Sequence, residues 1–95
     1  MKIIYLGMLQ SALGVKEEEF QTTAGSTVGN LLISLAQKYG EPFRFTVLGR
    51  DGNLRPLAKV FVSDRDIAEM DGLNTKLEDN AEVCIFISVE APAGG

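Results

Sequence analysis

Two apolar runs bracket this chain and restrict what it can become. Residues 2–9 read Lys-Ile-Ile-Tyr-Leu-Gly-Met-Leu, and residues 82–89 read Glu-Val-Cys-Ile-Phe-Ile-Ser-Val. Both are rich in β-branched and aromatic side chains, and both are apolar at successive positions rather than at alternate ones. A strand with one wet face would alternate, so these runs read as central strands. Their shared character places both in the middle of one sheet, and the order of elements set out below makes them parallel neighbours.

One amphipathic helix is equally legible. Val28, Leu31, Leu32, Leu35, Ala36 and Tyr39 recur at spacings of three and four and share one face. Ser26 or Thr27 supplies the N-cap, since a hydroxyl there can accept an orphan backbone N–H. Gly40 stands at the left-handed C′ position, and Pro42 prevents continuation. The spacing predicts a helix over 27–39.

The remaining segments are weaker. Residues 15–22 form a more polar strand whose Glu17, Glu18 and Glu19 suit a solvated edge, joined to the first strand by a turn at 10–14. Residues 41–57 are ambiguous: Phe43, Phe45 and Val47 alternate as in a strand, and a short irregular helix fits as well. Residues 58–63 form a strand, Asp64-Arg65-Asp66 turns it, and 67–69 form a short strand. Asp71-Gly72 is a further turn, with Leu73 and Leu77 plugging the base of the core. The order is hairpin, helix, strand, short strand, long strand. That is an α+β chain of the β-grasp kind, a mixed sheet of four to five strands packed on one main helix.

Composition excludes several function classes. Ninety-five residues make one small domain, assigned to 1–90, with residues 91–95 as a flexible tail. There is no histidine, and Cys84 is the one cysteine. Internal disulfides, histidine triads and cysteine cages for metals are thereby excluded, and no cofactor is expected. A lone cysteine suits a reducing, cytoplasmic setting. With a net charge of −4 and scattered Lys and Arg, the chain lacks the basic stripe of a nucleic-acid binder and is steered towards basic patches on proteins. The apolar start is broken by Tyr5 and Gly7 and is too short for a signal peptide, and no run is long enough to cross a membrane.

The last residues are Ala91-Pro92-Ala93-Gly94-Gly95. They offer little to bury and no helix to cap, whereas a Gly-Gly backbone enters slots too narrow for any side chain. With this tail and the β-grasp order, the sequence resembles the ubiquitin-like sulfur carriers, closest to the small subunit of molybdopterin synthase and the archaeal modifiers. The resemblance rests on the first strand and its loop, Ser26 to Leu32, Val60 to Ile67, Asp71-Gly72-Leu73, Leu77-Glu78-Asp79, Glu82-Val83 and Ala93-Gly94-Gly95. It departs in a tail about three residues longer, in Asn80 where glycine is common, and in the lack of an arginine after the first strand.

The resemblance implies that Gly95 is the acyl carrier, adenylated by a ubiquitin-activating-type enzyme and converted to a thiocarboxylate. Ala93 and Gly94 would be recognised with it. The sulfur would pass to the large molybdopterin synthase subunit or to another sulfur-accepting enzyme serving thiamine, tRNA thiolation or cysteine synthesis. A protein modifier that forms isopeptide bonds with lysines, and an interaction module without tail chemistry, are the alternatives. On this view the chain is a carrier and not an enzyme.

Strand alternation proposes the docking face. Val83, Ile85, Ile87, Ile3, Tyr5, Leu9, Val60 and Val62 point to the helix. Ile4, Leu6, Phe61 and Phe86 point away and form an apolar partner-binding patch beside the tail, unless residues 41–57 fold over it. Cys84 reads as a small apolar filler, and Arg65 as part of a polar turn.

Overall fold

The computed structural model describes residues 1–21 and 25–88. Its five strands are β1 (Lys2–Gly7), β2 (Glu17–Glu19), β3 (Ala58–Val62), β4 (Arg65–Asp66) and β5 (Glu82–Ile87). They form one sheet in the order β2-β1-β5-β3-β4. β1 and β5 are parallel neighbours, in register from Lys2 opposite Glu82 to Gly7 opposite Ile87, and all other pairs are antiparallel. The two most apolar runs therefore occupy the centre, as their composition requires. The acidic β2 lies at an edge, where charge discourages further pairing.

Among the described residues three α-helices accompany the sheet: α1 (Met8–Leu13), α2 (Val28–Tyr39) and α3 (Glu41–Val47). α2 is the predicted helix. Its cap is Thr27, whose Oγ1 accepts from the Asn30 N–H at 3.2 Å while the Asn30 side chain accepts from the Thr27 N–H at 3.0 Å. Val28, Leu31, Leu32 and Leu35 are buried against Ile3, Tyr5, Val60, Val62, Val83, Ile85 and Ile87 from the sheet. Burial of each such side chain contributes about 1.5–3 kcal/mol, which makes this layer the main source of stability.

Several local expectations are corrected. The strand expected to run to Leu9 ends at Gly7, and the expected turn is helix α1; Leu9 is still buried, but on a helix. Gly7, at φ 68°, turns the chain, and Gly14, at φ 70°, closes α1 by donating to the Gln10 carbonyl at 2.9 Å. Residues 41–57 take the helical alternative over Glu41–Val47. Pro42 does not merely stop α2: it sits in the first turn of α3, where its missing N–H costs nothing. Gly40, at φ 74° and ψ −147°, is the corner between the two helices rather than a left-handed cap.

The short strand is Arg65–Asp66, made possible by positive φ at Ser63 and Asp64, and 67–69 is a 3₁₀ turn capped by the Asp66 carboxylate on the Ala68 N–H at 2.9 Å. The second strand is shorter than 15–22, and Thr22 lies outside the described residues, as does Val89, the last residue of the expected strand 82–89.

Candidate functional site

The sheet face away from α2 is built by register. Ile4, Cys84 and Phe61 lie in one cross-strand row, and Leu6, Phe86 and Lys59 in the next. The first row ends on carboxylates at both sides, Glu17 opposite Ile4 and Asp66 opposite Phe61. The four residues expected to form a patch, Ile4, Leu6, Phe61 and Phe86, are thus brought together. Leu6 is 42% exposed and the other three are half-buried. The segment 41–57 does not cover them. It sends Phe43, Val47 and Leu48 into the core shared with α2, and α3 packs on α1 and α2. An apolar stripe with an acidic rim is complementary to an apolar surface flanked by lysine or arginine.

Cys84 sits in the middle of this stripe. Burial, aided by the charges of Glu82 and Asp64, pushes its thiol up from the ordinary value. It stays protonated at neutral pH and packs as a small hydrophobe rather than acting as a nucleophile. Among the described residues no group of three or more Cys, Asp or Glu stands close enough to hold a metal ion.

The end of the face leads to the tail. Gly7 is opposite Ile87 in the ladder, and a Cβ on it would come within 2.7 Å of the Ile87 carbonyl oxygen and 3.2 Å of Phe86 Cε2. Only glycine permits both the positive φ and this approach. Ser88, the next residue of the chain, donates its N–H to the Leu57 carbonyl at 2.9 Å. Beside it opens a groove of about 640 Å³ lined by Met8, Phe45, Arg55, Leu57, Ile87 and Ser88, among others. Ala93, Gly94 and Gly95, the expected tail-recognition and carrier residues, lie outside the described residues.

Two features escaped the sequence reading. The groove is one; its signal was Phe45, two residues from Phe43 and Val47, which share the buried side of a helix and leave Phe45 facing out. The other is Glu18, expected on a solvated edge. Its Oε2 accepts from the Tyr5 hydroxyl at 2.9 Å and from the Tyr39 hydroxyl, and its Oε1 accepts from Lys38 Nζ at 2.5 Å. Burial works to raise the carboxyl, but the hydrogen bonds from Lys38, Tyr39 and Tyr5 outweigh it and hold Glu18 below the usual carboxylate range. The Tyr5 phenol, buried and bonded to a carboxylate, is pushed up. Tyr5 also meets Tyr39 edge-on, with ring centroids 6.0 Å apart. The cluster ties edge strand β2 to α2 through the central strand.

A five-stranded mixed sheet with β1 and β5 parallel at its centre, one long helix across it and a chain end leaving the central strand defines a ubiquitin-like β-grasp protein. The sequence matches the ThiS family over residues 3–95, and the chain belongs to that family of small ubiquitin-like sulfur carriers and modifiers. Over 69 residues it is 36% identical to a protein of Archaeoglobus fulgidus named for a sulfur-carrier role, covering 73% of this chain and 74% of that one. It is 28% identical over 98 residues to small archaeal modifier protein 3 of Haloferax volcanii, covering 100% of this chain and 98% of the relative. The crystal structure of SAMP1 from Haloferax volcanii superposes with a TM-score of 0.82 at 19% identity, covering 96% of this chain and 97% of that chain. Among the described residues no helix is long and apolar enough to cross a membrane.

Proposed function

We propose that this chain carries sulfur on its C-terminal glycine. The Gly95 carboxylate attacks ATP held by a ubiquitin-activating-type enzyme, giving the acyl adenylate and pyrophosphate. A carboxylate is a poor acyl electrophile, and the adenylate supplies the leaving group. A sulfide-equivalent nucleophile then displaces AMP and leaves a thiocarboxylate, whose sulfur is delivered to an acceptor enzyme. The domain over 1–90 docks through Ile4, Leu6, Phe61 and Phe86. The tail from Val89 to Gly95, extended, spans roughly 23 Å and reaches a buried centre.

The observation that carries this reading is the apolar stripe across β1, β5 and β3, centred on β5, the strand that precedes the Gly-Gly tail in the sequence. The acceptor we propose is the large subunit of molybdopterin synthase, with this chain as the small subunit and in a cytoplasmic setting. The chain supplies reach and identity, and the partner enzymes supply the catalysis.

The test is ATP-dependent activation with a cognate activating enzyme, read by intact mass. Exchange of the terminal hydroxyl for SH adds about 16 mass units, and the chain lacking Gly95 should show no gain. Equal activation of the truncated chain removes the reading. Reconstitution with a large molybdopterin synthase subunit, scored as molybdopterin formed, tests the acceptor.

A second reading is favoured by the full-length match to an archaeal modifier: the activated Gly95 is attacked by a lysine amine to form an isopeptide bond. Conjugates of raised mass that resist thiol reductants, in place of the thiocarboxylate, would establish it.

A further inference from the structure

The groove beside Ser88 lies outside the stripe just described. Among the described residues five large hydrophobic side chains are well exposed, and three of them line this groove: Met8 at 53%, Phe45 at 57% and Leu57 at 39%. Isolated exposed hydrophobics are ordinary, but convergence of three in one concavity marks a binding surface. The fold does not demand Phe45. α3 is held by Phe43 and Val47, which are fully buried one helical turn apart, and a polar residue at 45 would leave that packing intact.

The charge is equally selective. The chain has thirteen acidic and nine basic residues, yet among the described residues the groove lining includes one cation, Arg55, and no carboxylate. Arg55 Nη1 donates to the Phe45 carbonyl at 2.9 Å, which fixes the guanidinium on the groove wall. Among the described residues no ion pair engages it, so its other N–H groups stand open to a ligand. The groove suits an apolar side chain accompanied by a carboxylate.

We propose that this groove is a second docking site for the enzyme that activates the tail, taking from it an apolar side chain with a neighbouring Asp or Glu. The inference rests on the carrier reading above and adds a contact surface to it. The reason for choosing this partner is position. Ser88, the last described residue before the tail, is in the groove wall and is bonded to Leu57. Met8 follows Gly7 directly, and Leu6 is paired with Phe86, so the groove continues the outer stripe around the end of β1 and β5. A protein that covers the stripe and grips the tail crosses this groove. It would hold the carrier on both sides of the departing chain.

The experiment measures ATP–pyrophosphate exchange by an activating enzyme of the same organism as the full-length carrier is varied. Phe45→Ser should raise KM for the carrier about tenfold or more with kcat unchanged, because an aromatic anchor that the partner would cover is lost and the chemistry is untouched. Arg55→Glu should raise KM and flatten its dependence on salt, and Arg55→Lys should recover part of the affinity. Thermal melts matching the wild type exclude misfolding.

If the wild type is activated and both variants keep its KM, the groove is not a contact and the carrier reading stands. If the wild type is not activated, the carrier reading and this inference fall together. Two further outcomes overturn the assignment of the partner. A change in the Met8, Phe45 and Leu57 NMR signals on truncation after Ser88 would assign the groove to the chain's own tail. A dimer in sedimentation that Phe45→Ser disperses would assign it to a second copy.

Discussion

Replacing Glu18 by alanine is expected to destabilise the domain by about 2–4 kcal/mol. The figure follows from what the carboxylate holds. The Tyr5 hydroxyl donates to it at 2.9 Å, and Tyr5 is fully buried, so removal of the acceptor strands a polar group away from water. Such a group costs about 1–3 kcal/mol. Tyr39 is half-buried and loses a charge-assisted bond of about 1.5–3 kcal/mol, much of which water restores. Lys38 is half-exposed and returns to solvent, so nothing is assigned to it.

For a domain of this size the loss should lower Tm by roughly 10–25 °C, measured by circular dichroism, with urea unfolding as the equilibrium check. Tyr5→Phe made in the Glu18→Ala chain should recover part of the loss, because the stranded hydroxyl is removed. The double-mutant cycle then shows coupling. Additive effects, or a Glu18→Ala loss below about 0.5 kcal/mol, would refute the argument from the stranded hydroxyl.

The pH dependence has a definite sign. Glu18 is depressed in the folded state, so its contribution is present above the unfolded carboxyl value of about 4.3 and is lost as pH falls through the lower folded value. Glu18→Gln should flatten the acid limb of stability against pH. Tyr5 is raised, so its contribution is present below about pH 10 and is lost above it, where unfolded tyrosines ionise.

Two other outcomes are expected. Leu6→Asp or Phe86→Asp should weaken binding to the activating enzyme at least tenfold while thermal melts stay near wild type, since neither belongs to the buried core; unfolding would mean that both side chains belong to the core. Gly7→Ala should cost about 2–4 kcal/mol, from a positive φ together with a methyl 2.7 Å from the Ile87 carbonyl, read by urea denaturation; a chain of wild-type stability would show that the β1–β5 ladder relaxes freely there.

The amino-acid sequence alone determined the frame. The apolar character of 2–9 and 82–89 put two strands at the sheet's centre, where each has a hydrogen-bonded neighbour on both sides, and left one apolar face of them open as the stripe. The spacing of Val28, Leu31, Leu32 and Leu35 set α2, and alternation set which side chains face outward, so Ile4, Leu6, Phe61 and Phe86 could be named as one patch. These are local periodicities, and they survive folding because every neighbouring element agrees with them.

What the sequence left open depended on distant partners. α1 and α3 are six and seven residues long, too short to be stable by propensity, and exist because the core receives Leu9, Phe43 and Val47. Glu18 looked like its two neighbours until tertiary packing set two tyrosines and a lysine around it. The groove at Ser88 is made by residues from four separate parts of the chain, and no single stretch carries its signature. Its shape follows from how α3 and the segment up to Leu57 close on the end of β5, which the tertiary fold alone decides.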